Sequence, residues 1–449
     1  MKKPRVCIVG AGSSGLPAIK AMVDAGLPIT CFEMGDRVGG NWVFGNTNGI
    51  SNIYRSLHIN TSRERMAYFD LPMPDHYPDY PGHEQIAAYF DQYVDHFGLR
   101  SYIRFHATVT SCRRDPASGV WTVCWRDADG AHEDTFDMLI VANGHHWDPQ
   151  LPDPPFPGTF NGEQFHSHAY VDPTTPVDTI GKDVLVVGMG NSAMDIATEL
   201  GRKGIASTCY LAARRGAWVI PKYLFGKPVD QLPVNNPLLH PAVPYAIRGP
   251  LLSQFLKRVL GPMSSYGLPD PAHEPDEAHP TISGELPLRV GSGDVHWVGN
   301  ISRLDGDHVV FEDGTRRHVD VIIWCTGYRV TFPFFDEAFI AAPDNDLPLF
   351  RRVFKPGIPN LAFVGLLQPL GAIMPLADAQ SKWIADLLLG RYALPSDGEM
   401  LDDIAREREA MFKRYVASRR HTMQVDFDEY LWQLGRERRR GERRAQRQR

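Results

Sequence analysis

Two glycine-rich loops of this sequence have the residue types and the spacing that bind the pyrophosphate of a dinucleotide. In the first loop, the apolar run RVCIVG (5–10) leads into Gly10, Gly12 and Gly15, and an apolar helical pattern follows at once. Gly10 permits a tight turn, Gly12 lets a phosphate approach the backbone, and Gly15 lets the helix pack closely on the strand. The free N–H groups at the start of such a helix attract an anion. Dinucleotide cofactors transfer hydride, so the chemistry that this loop predicts is oxidation–reduction.

The residues after the first loop indicate which nucleotide it binds. The apolar run ITCFE ends in Glu33, 23 residues after Gly10, where a carboxylate accepts hydrogen bonds from ribose hydroxyls. Ser13 and Ser14 lie inside the loop and are assigned to the same cofactor site. The following GDRVGGNW, which contains Gly40, resembles the second glycine pair that flavoproteins place near the pyrophosphate of FAD. The acid and the additional glycines predict FAD at the first loop.

A second loop repeats the pattern after the apolar run DVLVVG (183–188). Its glycines and the residues that follow them are Gly188, Gly190, Asn191, Ser192 and Ala193. Alanine stands where the third glycine is usual, which the motif tolerates because a methyl group still allows the helix to pack on the strand. We therefore predict a second dinucleotide site.

The second site lacks the acid that would mark a free ribose hydroxyl. Counting 23 residues on from Gly188 leads to Leu211, and the stretch LAARR then places Arg214 and Arg215 where a 2′-phosphate would lie. A guanidinium group binds phosphate in a bidentate, charge-assisted pair. The alternative role for either arginine is a surface ion pair. The basic residues predict NADPH at the second loop.

An internal repeat indicates how these two sites are built into the fold. The segments 121–144 and 309–327 each read as hairpin strands around an Asp-Gly turn, followed by a buried strand that ends in a small residue and glycine. A chain of 449 residues is also too long for one compact core. The predicted fold class is α/β, with two Rossmann-like dinucleotide-binding domains, for FAD and NADPH, the second inserted into the first. The predicted ranges are 1–155 and 327–449 for the discontinuous FAD domain and 156–326 for the NADPH domain, which has an insertion at about 217–290.

Composition excludes several other classes of protein. With 43% hydrophobic and 22% charged residues and a net charge of −6, the chain is typical of a globular protein. The six cysteines show no C-x-x-C spacing, so we expect buried thiols in a reducing compartment. The 17 histidines show no metal-ligand spacing, and we expect no metal.

The two chain ends bear on localisation and on partners. The N-terminal MKKPRVCIVG runs directly into a strand, and no apolar run approaches the roughly 18 residues of a membrane span, so we expect a cytoplasmic protein. The C-terminal RERRRGERRAQRQR holds eight Arg and two Glu. We interpret it as a solvated, frayed helix end and expect neither nucleic acid nor membrane as a partner. A homodimer is left open by the sequence.

The segment between the two loops, FNGEQFHSHAY, places Phe160, Gly162, His166 and Tyr170 at the spacing F-x-G-x-x-x-H-x-x-x-Y. This arrangement resembles the identifying sequence of the flavin-containing monooxygenases, and the similarity covers nearly the whole chain. We expect the linker residues to act as a hinge between the nucleotide domains and not as catalytic groups. Further similar segments are RSLHINTSRERMAYFDLP (55–72), HPTISGELPLRV (279–290), CTGY (325–328), LQPLGAIMPLADAQSKW (367–383) and RYVASRRHTMQVDF (414–427).

The resemblance also implies roles for individual residues. The asparagine matching Asn60 sits at the flavin ring and near the nicotinamide in that family, and we assign Asn60 as the catalytic residue. The alternative for Asn60 is a loop residue that caps its own backbone. Further cofactor contacts implied by the resemblance are Asn41, Trp42, Thr61 and Gln368 for FAD, and Ser192 to Asp195 for NADP.

The mechanism that the resemblance implies begins with hydride transfer from NADPH to FAD. The reduced flavin then adds dioxygen, and the resulting flavin hydroperoxide transfers one oxygen atom to a soft nitrogen or sulfur nucleophile. Asn60 carries an amide donor and acceptor suited to this site. The protein needs no general base of its own, which agrees with the absence of a recognisable catalytic acid–base pair in the sequence.

Other functions remain open at this point. Within the monooxygenases, the alternative is Baeyer–Villiger oxidation of ketones or oxidative decarboxylation of a 2-oxo acid; the linker ends His-Ala-Tyr, whereas Baeyer–Villiger relatives are expected to end in Trp followed by Pro or Asp. A disulfide reductase would need a redox-active cysteine pair, which the sequence lacks. A non-catalytic flavin redox sensor is disfavoured by two intact phosphate loops. The substrate itself is not evident.

Overall fold

The computed structural model describes residues 3–46, 48–232, 245–278, 281–415 and 422–448. Parts of the predicted insertion and of the similar segments 279–290 and 414–427 lie outside these residues. By its internal contacts the chain divides into two compact units. The first contains Met1–Ser51, Thr61–His145 and Val330–Arg449, and the second contains Asn52–Asn60 and His146–Arg329.

These bounds differ from the predicted domain ranges in two respects. The chain passes between the units at His145–His146 and Arg329–Val330, ten residues before the predicted boundary at 155 and three residues after that at 326. The segment Asn52–Asn60 belongs to the second unit, although the sequence prediction placed it in the first domain. The segment belongs to the second unit because Tyr54 packs in the hydrophobic core of that unit.

The first unit begins with the strand and helix that flank the first glycine loop. Its elements up to residue 145 are β1 (Val6–Val9), α1 (Gly15–Asp24), β2 (Ile29–Phe32), α2 (Arg63–Met66), α3 (His83–His96), β3 (Ile103–Arg104), β4 (Thr108–Arg114), β5 (Trp121–Asp127), β6 (Gly130–Phe136) and β7 (Met138–Val141).

The second unit has the strand β11 (Asp183–Val187), the helix α4 (Asn191–Leu200) and the strand β12 (Thr208–Ala212) around the second glycine loop. Its elements are β8 (Asp148–Pro149), β9 (Gly158–Phe160), β10 (Glu163–His166), β11 (Asp183–Val187), α4 (Asn191–Leu200), β12 (Thr208–Ala212), β13 (Val219–Ile220), β14 (Tyr223–Leu224), β15 (Lys227–Pro228), α5 (Tyr245–Leu260), β16 (Thr281–Ile282), α6 (Leu286–Gly291), β17 (Val295–Gly299), β18 (Ile301–Gly306), β19 (His308–Phe311), β20 (Arg316–His318), β21 (Val321–Trp324) and β22 (Tyr328–Arg329).

The remaining elements return to the first unit. They are β23 (Leu361–Phe363), β24 (Gln368–Leu370), α7 (Met374–Leu388), α8 (Asp397–Arg414), β25 (Gln424–Asp426) and α9 (Phe427–Gln448).

Each unit is organised around a five-stranded parallel sheet. The strand order is β23-β7-β1-β2-β3 in the first unit and β10-β21-β11-β12-β17 in the second. In both sheets the strand before the glycine loop is flanked by neighbours on each side, with Val6 opposite Ile29 and Met138 in the first unit. The prediction of an α/β fold with parallel sheets is confirmed.

Apolar side chains cover both faces of the second sheet, which explains why its strands are continuous hydrophobic runs. In β11, Val184 and Val186 pack with Ala197 of α4 in one core. Leu185 and Val187, which alternate with them, lie in a separate core with residues of β18 and β19. The sheet and α4 together fix the position of the glycine loop between them.

The arginine-rich C-terminal segment is a regular helix, so the prediction of a frayed end was wrong. α9 continues to Gln448, and its inner face is held against Tyr392. Gly441 lies against the Tyr392 ring, where a Cβ would collide with ring atoms. Glu437 pairs with Arg444 and accepts a hydrogen bond from the Tyr392 hydroxyl at 3.0 Å. Within the described part of the chain, no helix combines the length and the apolar character that crossing a membrane requires.

The linker with the F-x-G-x-x-x-H-x-x-x-Y spacing forms two strands of the second unit. Phe160 ends β9, and a Cβ at Gly162 would collide with the Asp320 carbonyl and the Phe160 ring. His166 ends β10, and its Nδ1 accepts a hydrogen bond from the His168 N–H at 3.0 Å. Burial is the main cause that lowers the His166 pKa to about 4. A neutral, buried imidazole agrees with its exclusion from the catalytic residues, while the hinge role stays a prediction.

Candidate functional site

The first glycine loop has backbone geometry that larger residues would not allow. Gly10 has φ +99°, and a Cβ there would lie 2.6 Å from the Ala142 carbonyl oxygen at the end of β7. Gly15 begins α1, and a Cβ there would collide with the Gly10 carbonyl oxygen. The loop therefore passes close to β7 and turns directly into the helix. The Gly15 and Leu16 N–H groups donate to the Gly12 carbonyl, so the N–H groups of the loop before α1 are the ones that can bind an anion.

Glu33 ties the first loop to the end of β2. Its two carboxylate oxygens accept hydrogen bonds from the Ala11 N–H at 2.8 Å and the Gly35 N–H at 2.7 Å. Burial raises the Glu33 pKa, and the backbone hydrogen bonds oppose that rise. Each oxygen retains a further lone pair, so the carboxylate can still accept a hydrogen bond from a ribose hydroxyl.

The other residues predicted for FAD surround this loop within the first unit. Gly12 forms a bridge with Gly39, and a Cβ on Gly12 would lie 3.5 Å from the Gly40 Cα. Gly40, Asn41 and Trp42 form a single turn of 3₁₀ helix. The Ser13 carbonyl accepts a hydrogen bond from the Tyr68 hydroxyl at 2.5 Å.

Three further predicted residues complete this set. Ser14 caps the start of α1, and Thr61 is buried where the chain re-enters the first unit. Gln368 begins β24 and donates its backbone N–H to the Met423 carbonyl at 2.8 Å. The structure thus places all the residues assigned to FAD, except Asn60, in the first unit.

A Gly15→Ala substitution tests whether the tight packing of this loop is required. The added methyl group would press on the Gly10 carbonyl, and such overpacking costs about 1–3 kcal/mol. We expect a lower unfolding temperature and reduced flavin content, measured by thermal unfolding and by flavin absorbance per protein. Ala193→Gly is the matched control, because Ala193 occupies the third position of the second loop and is already buried there. Full flavin content at the parent unfolding temperature would contradict this prediction.

The second glycine loop follows the same construction. Gly188 has φ +142°, and a Cβ there would lie 2.5 Å from the Cys325 carbonyl oxygen at the end of β21. Gly190 caps α4, and Ser192 and Ala193 lie in its first turn. The Asn191 side chain accepts a hydrogen bond from the Ile282 N–H at 2.9 Å. That bond fixes β16 beside the start of the helix.

Arg214 and Arg215 lie immediately beyond β12, which is the strand next to β11 in the sheet. Both side chains are exposed. Neither guanidinium makes an ion pair with any residue in the described ranges of the chain. Two unpaired cations beside the end of β12 suit a 2′-phosphate, and their assignment to NADPH stays a prediction.

Asn60 is the last residue of the segment that joins the second unit. Its Oδ1 is buried and has no hydrogen-bond partner among the described residues. A buried amide oxygen without a donor is costly in a folded protein. The atom is therefore able to accept a hydrogen bond from a bound group.

The resemblance implied that Asp195 contacts NADP, but its side chain is hydrogen-bonded to another residue of the protein. Its carboxylate accepts a hydrogen bond from the Tyr54 hydroxyl at 2.5 Å, within the second unit. Burial raises the Asp195 pKa, and the Tyr54 hydrogen bond opposes that rise. The side chain is thus engaged with the protein itself. Its assignment as an NADP contact stays a prediction.

Several residues near Asn60 were not identified as site residues from the sequence. Lys222 donates a hydrogen bond to the Ile59 carbonyl at 3.0 Å, and burial lowers its pKa to about 8. Glu199 lies one helical turn after Asp195 and accepts hydrogen bonds from Ser56 and Tyr170. The i, i+4 spacing of two acids on a helix behind a glycine loop was the available signal.

A second group of polar residues lies at the start of β11. His318 Nδ1 is 3.2 Å from the Asp183 carboxylate, and His318 Nε2 is 3.8 Å from Asp320. The hydrogen bond with Asp183 raises the His318 pKa. The three ligand atoms lie within 4.8 Å of one another, close enough to hold a metal ion, but the histidine is exposed and the ion pairs account for the arrangement. The sequence did not show this group because 135 residues separate Asp183 and His318.

The donor sets of the two loops fit the two cofactors. A Cβ on Gly10 or on Gly188, the first glycine of each loop, would collide with a backbone carbonyl oxygen. Both positions therefore require glycine. The first loop has the Glu33 carboxylate, which suits a ribose hydroxyl of FAD, and the second has exposed guanidinium groups, which suit the 2′-phosphate of NADPH. The unpartnered Asn60 oxygen adds an acceptor for a bound group.

Comparison with known proteins places the chain among the flavin-dependent oxygenases. The profile of the family described as flavin-binding monooxygenase-like matches residues 2–437. Flavin-containing monooxygenase 5 of Rattus norvegicus is 38% identical, over 95% of this chain and 81% of that protein. The N-oxide-forming dimethylaniline monooxygenase 2 of Rattus norvegicus is 34% identical, over 96% of this chain and 82% of that protein.

The fold is also similar to that of solved structures. The S-allyl-L-cysteine S-oxygenase from Allium sativum superimposes with a TM-score of 0.72 at 26% identity. The match covers 97% of this chain and 89% of that structure. The predicted pair of dinucleotide-binding domains is therefore confirmed at the level of the fold.

Proposed function

The chain belongs to the flavin-binding monooxygenase-like family, and on this premise we propose that its substrate is a soft nitrogen or sulfur nucleophile. It is an FAD- and NADPH-dependent monooxygenase. One relative is named as N-oxide-forming and another as an S-oxygenase, which supports the proposal. The observation that carries the proposal is the uncharged Asn60 amide, whose Oδ1 acceptor is unused. The arginine of the same segment, Arg55, is already paired with Asp172.

The residues of the two loops would hold the cofactors. In this proposal the N–H groups after Gly12 bind the FAD pyrophosphate, and Glu33 accepts a hydrogen bond from its ribose. Arg214 and Arg215 bind the 2′-phosphate of NADPH. When bound, these cofactors together supply the reducing equivalents that activate dioxygen. Asn60 contributes an amide donor and a free acceptor to the reacting centre.

The charge at the reacting centre decides between the candidate reactions. Transfer of an oxygen atom to nitrogen or sulfur uses a lone pair of the substrate and needs no cation from the protein. Baeyer–Villiger oxidation needs an anionic oxygen nucleophile and a cationic side chain to stabilise it. The two arginines that flank Asn60 in sequence, Arg55 and Arg63, are the first candidates for such a cation.

Both arginines are engaged elsewhere within their own units. Arg55 is 65% exposed at its side chain and pairs with Asp172 at 3.2 Å. Arg63 donates from Nη1 to three backbone carbonyls, those of Pro74, Asp75 and Tyr77, at 2.9, 2.5 and 3.0 Å. Lys222, the other cation near Asn60, donates to the Ile59 carbonyl at 3.0 Å. These existing contacts leave the neutral Asn60 as the group proposed for the reacting centre. This supports oxygenation of nitrogen or sulfur over lactone formation.

A competition between substrates tests this proposal. With equal NADPH and dioxygen, we expect a small thioether to give sulfoxide at least about tenfold faster than cyclohexanone gives lactone, a difference of about 1.4 kcal/mol in activation free energy. Products are quantified by chromatography, with catalase present so that free peroxide does not oxidise the sulfide. A reaction without NADPH is the control. Lactone forming faster than sulfoxide would overturn the assignment.

A further inference from the structure

The segment Asn52–Asn60 is attached to the second unit by its side chains. Tyr54 is buried, and its hydroxyl donates to the Asp195 carboxylate at 2.5 Å. Ser56 donates to the Glu199 carboxylate at 3.0 Å. Two polar residues around one turn of the segment, Tyr54 and Ser56, thus reach two acids on one helix. The segment ends at Asn60, whose Oδ1 is the unpartnered acceptor.

The helix that carries both acids is the one that follows the second phosphate loop. α4 begins at Asn191, directly after Gly190. Asp195 and Glu199 are separated by four residues and therefore lie on the same face of this helix. Its first turn provides the N–H groups that attract a pyrophosphate. The segment that ends at Asn60 and the nucleotide loop are consequently attached to a single rigid element.

Two further contacts restrain the same segment. The Tyr170 hydroxyl also donates to Glu199, at 2.9 Å, and the Tyr170 ring meets the Tyr54 ring edge-on with centroids 6.1 Å apart. Lys222 donates to the carbonyl of Ile59, the residue before Asn60, at 3.0 Å. The backbone is held as well, because the Arg55 N–H donates to the Val171 carbonyl at 2.8 Å. Each of these contacts lies within the second unit.

We propose that Asp195 and Glu199 form a two-carboxylate clamp that fixes Asn60 relative to the NADPH-binding loop. In this arrangement Tyr54 and Ser56 are positioning residues, and Asp195 acts through Tyr54 instead of contacting NADP. The clamp makes the position of Asn60 depend on the helix that receives the pyrophosphate. This inference rests on the proposed role of Asn60 at the reacting centre.

The first test is a physical measurement that needs no turnover. Tyr54→Phe retains the ring and removes only the hydroxyl that binds Asp195. We expect backbone amides of residues 55–59 to exchange with deuterium about tenfold faster than in the parent holoenzyme, the scale set by one charge-assisted hydrogen bond. Tyr266→Phe is the matched control, because it removes a hydroxyl bond to the Leu260 carbonyl, 2.8 Å long, elsewhere in the same unit.

The second test measures how NADPH oxidation is divided between product and hydrogen peroxide. We expect Tyr54→Phe to increase the peroxide fraction several-fold while the KM for NADPH stays within about twofold, because the phosphate contacts are unchanged. Asp195→Ala should behave in the same way, and Asp195→Asn should recover coupling because its amide oxygen still accepts from Tyr54. The double variant Tyr54→Phe with Asp195→Ala should be no worse than either single variant.

The outcomes separate this inference from the proposed function. The clamp is wrong if Tyr54→Phe, Asp195→Ala and the exposed Ser56→Ala all retain the parent exchange rates and peroxide fraction. A large rise in the KM for NADPH with Asp195→Asn would also overturn it, since that result would indicate direct cofactor binding. If the parent forms no sulfoxide, the proposed function fails, while the exchange measurements still decide whether the clamp exists.

Discussion

Replacing Asn60 with leucine should divert most of the consumed oxygen to hydrogen peroxide, while flavin content and flavin reduction by NADPH remain close to those of the parent. We expect the ratio of peroxide to oxygenated product to rise by about two orders of magnitude, the effect of removing one preorganised hydrogen-bonding group from a site of developing charge. Oxygen uptake, NADPH oxidation, peroxide and product are measured in the same reaction.

The structural reason is the environment of the Asn60 side chain. Its Oδ1 is buried and has no partner within the part of the chain that the structure describes, so its hydrogen-bonding capacity is available to a bound group. Leucine has a similar volume and neither donor nor acceptor. The segment that carries it would keep its contacts through Tyr54 and Ser56, so the fold should be preserved.

Asn60→Asp is the matched variant for this prediction. It keeps the acceptor, removes the amide donor and adds a negative charge, so a loss of coupling smaller than that of the leucine variant would assign part of the effect to the acceptor. A leucine variant that couples NADPH oxidation to product as tightly as the parent would remove Asn60 from the reaction. A variant that loses its flavin would show a structural role instead.

Replacing Arg214 with alanine should raise the KM for NADPH by one to two orders of magnitude and leave that for NADH nearly unchanged. Only NADPH carries the 2′-phosphate, and a charge-assisted pair of about 1.5–3 kcal/mol sets this scale. Arg214 is exposed at the end of β12 and has no ion-pair partner among the residues described, so its removal should not destabilise the unit.

Two further variants define the specificity of this effect. Arg215→Ala shows whether the neighbouring guanidinium shares the phosphate. Arg202→Ala is the surface control, because Arg202 is exposed in the same unit and pairs with Glu285 at 3.4 Å. Steady-state kinetics with both nucleotides are compared at one ionic strength, since charge pairs weaken with salt. An equal loss with NADPH and NADH would reject the phosphate role of Arg214.

The sequence alone determined the nucleotide-binding architecture, because a phosphate loop is a local structure. Strand, glycine turn, helix and the residue after the second strand lie within about thirty positions, so short-range spacing specifies them. The geometry at Gly10 and Gly188 agrees with that interpretation, since each glycine lies against the carbonyl at the end of an adjacent strand. The family resemblance also came from local segments, and the comparisons confirm it.

The tertiary structure decided the contacts between residues that are distant in the chain. Tyr54 and Asp195 are 141 positions apart, and the identity of neither residue predicts that the two form a hydrogen bond. The same holds for the C-terminal helix, whose Arg444 and Glu437 pack around Tyr392 about 50 residues earlier. Local spacing in a sequence predicts helices, strands and turns. The hydrogen-bond partner of a buried hydroxyl or carboxylate depends instead on which distant residues the fold brings together. For this reason the segment Asn52–Asn60 could be assigned to the second unit only from its packing.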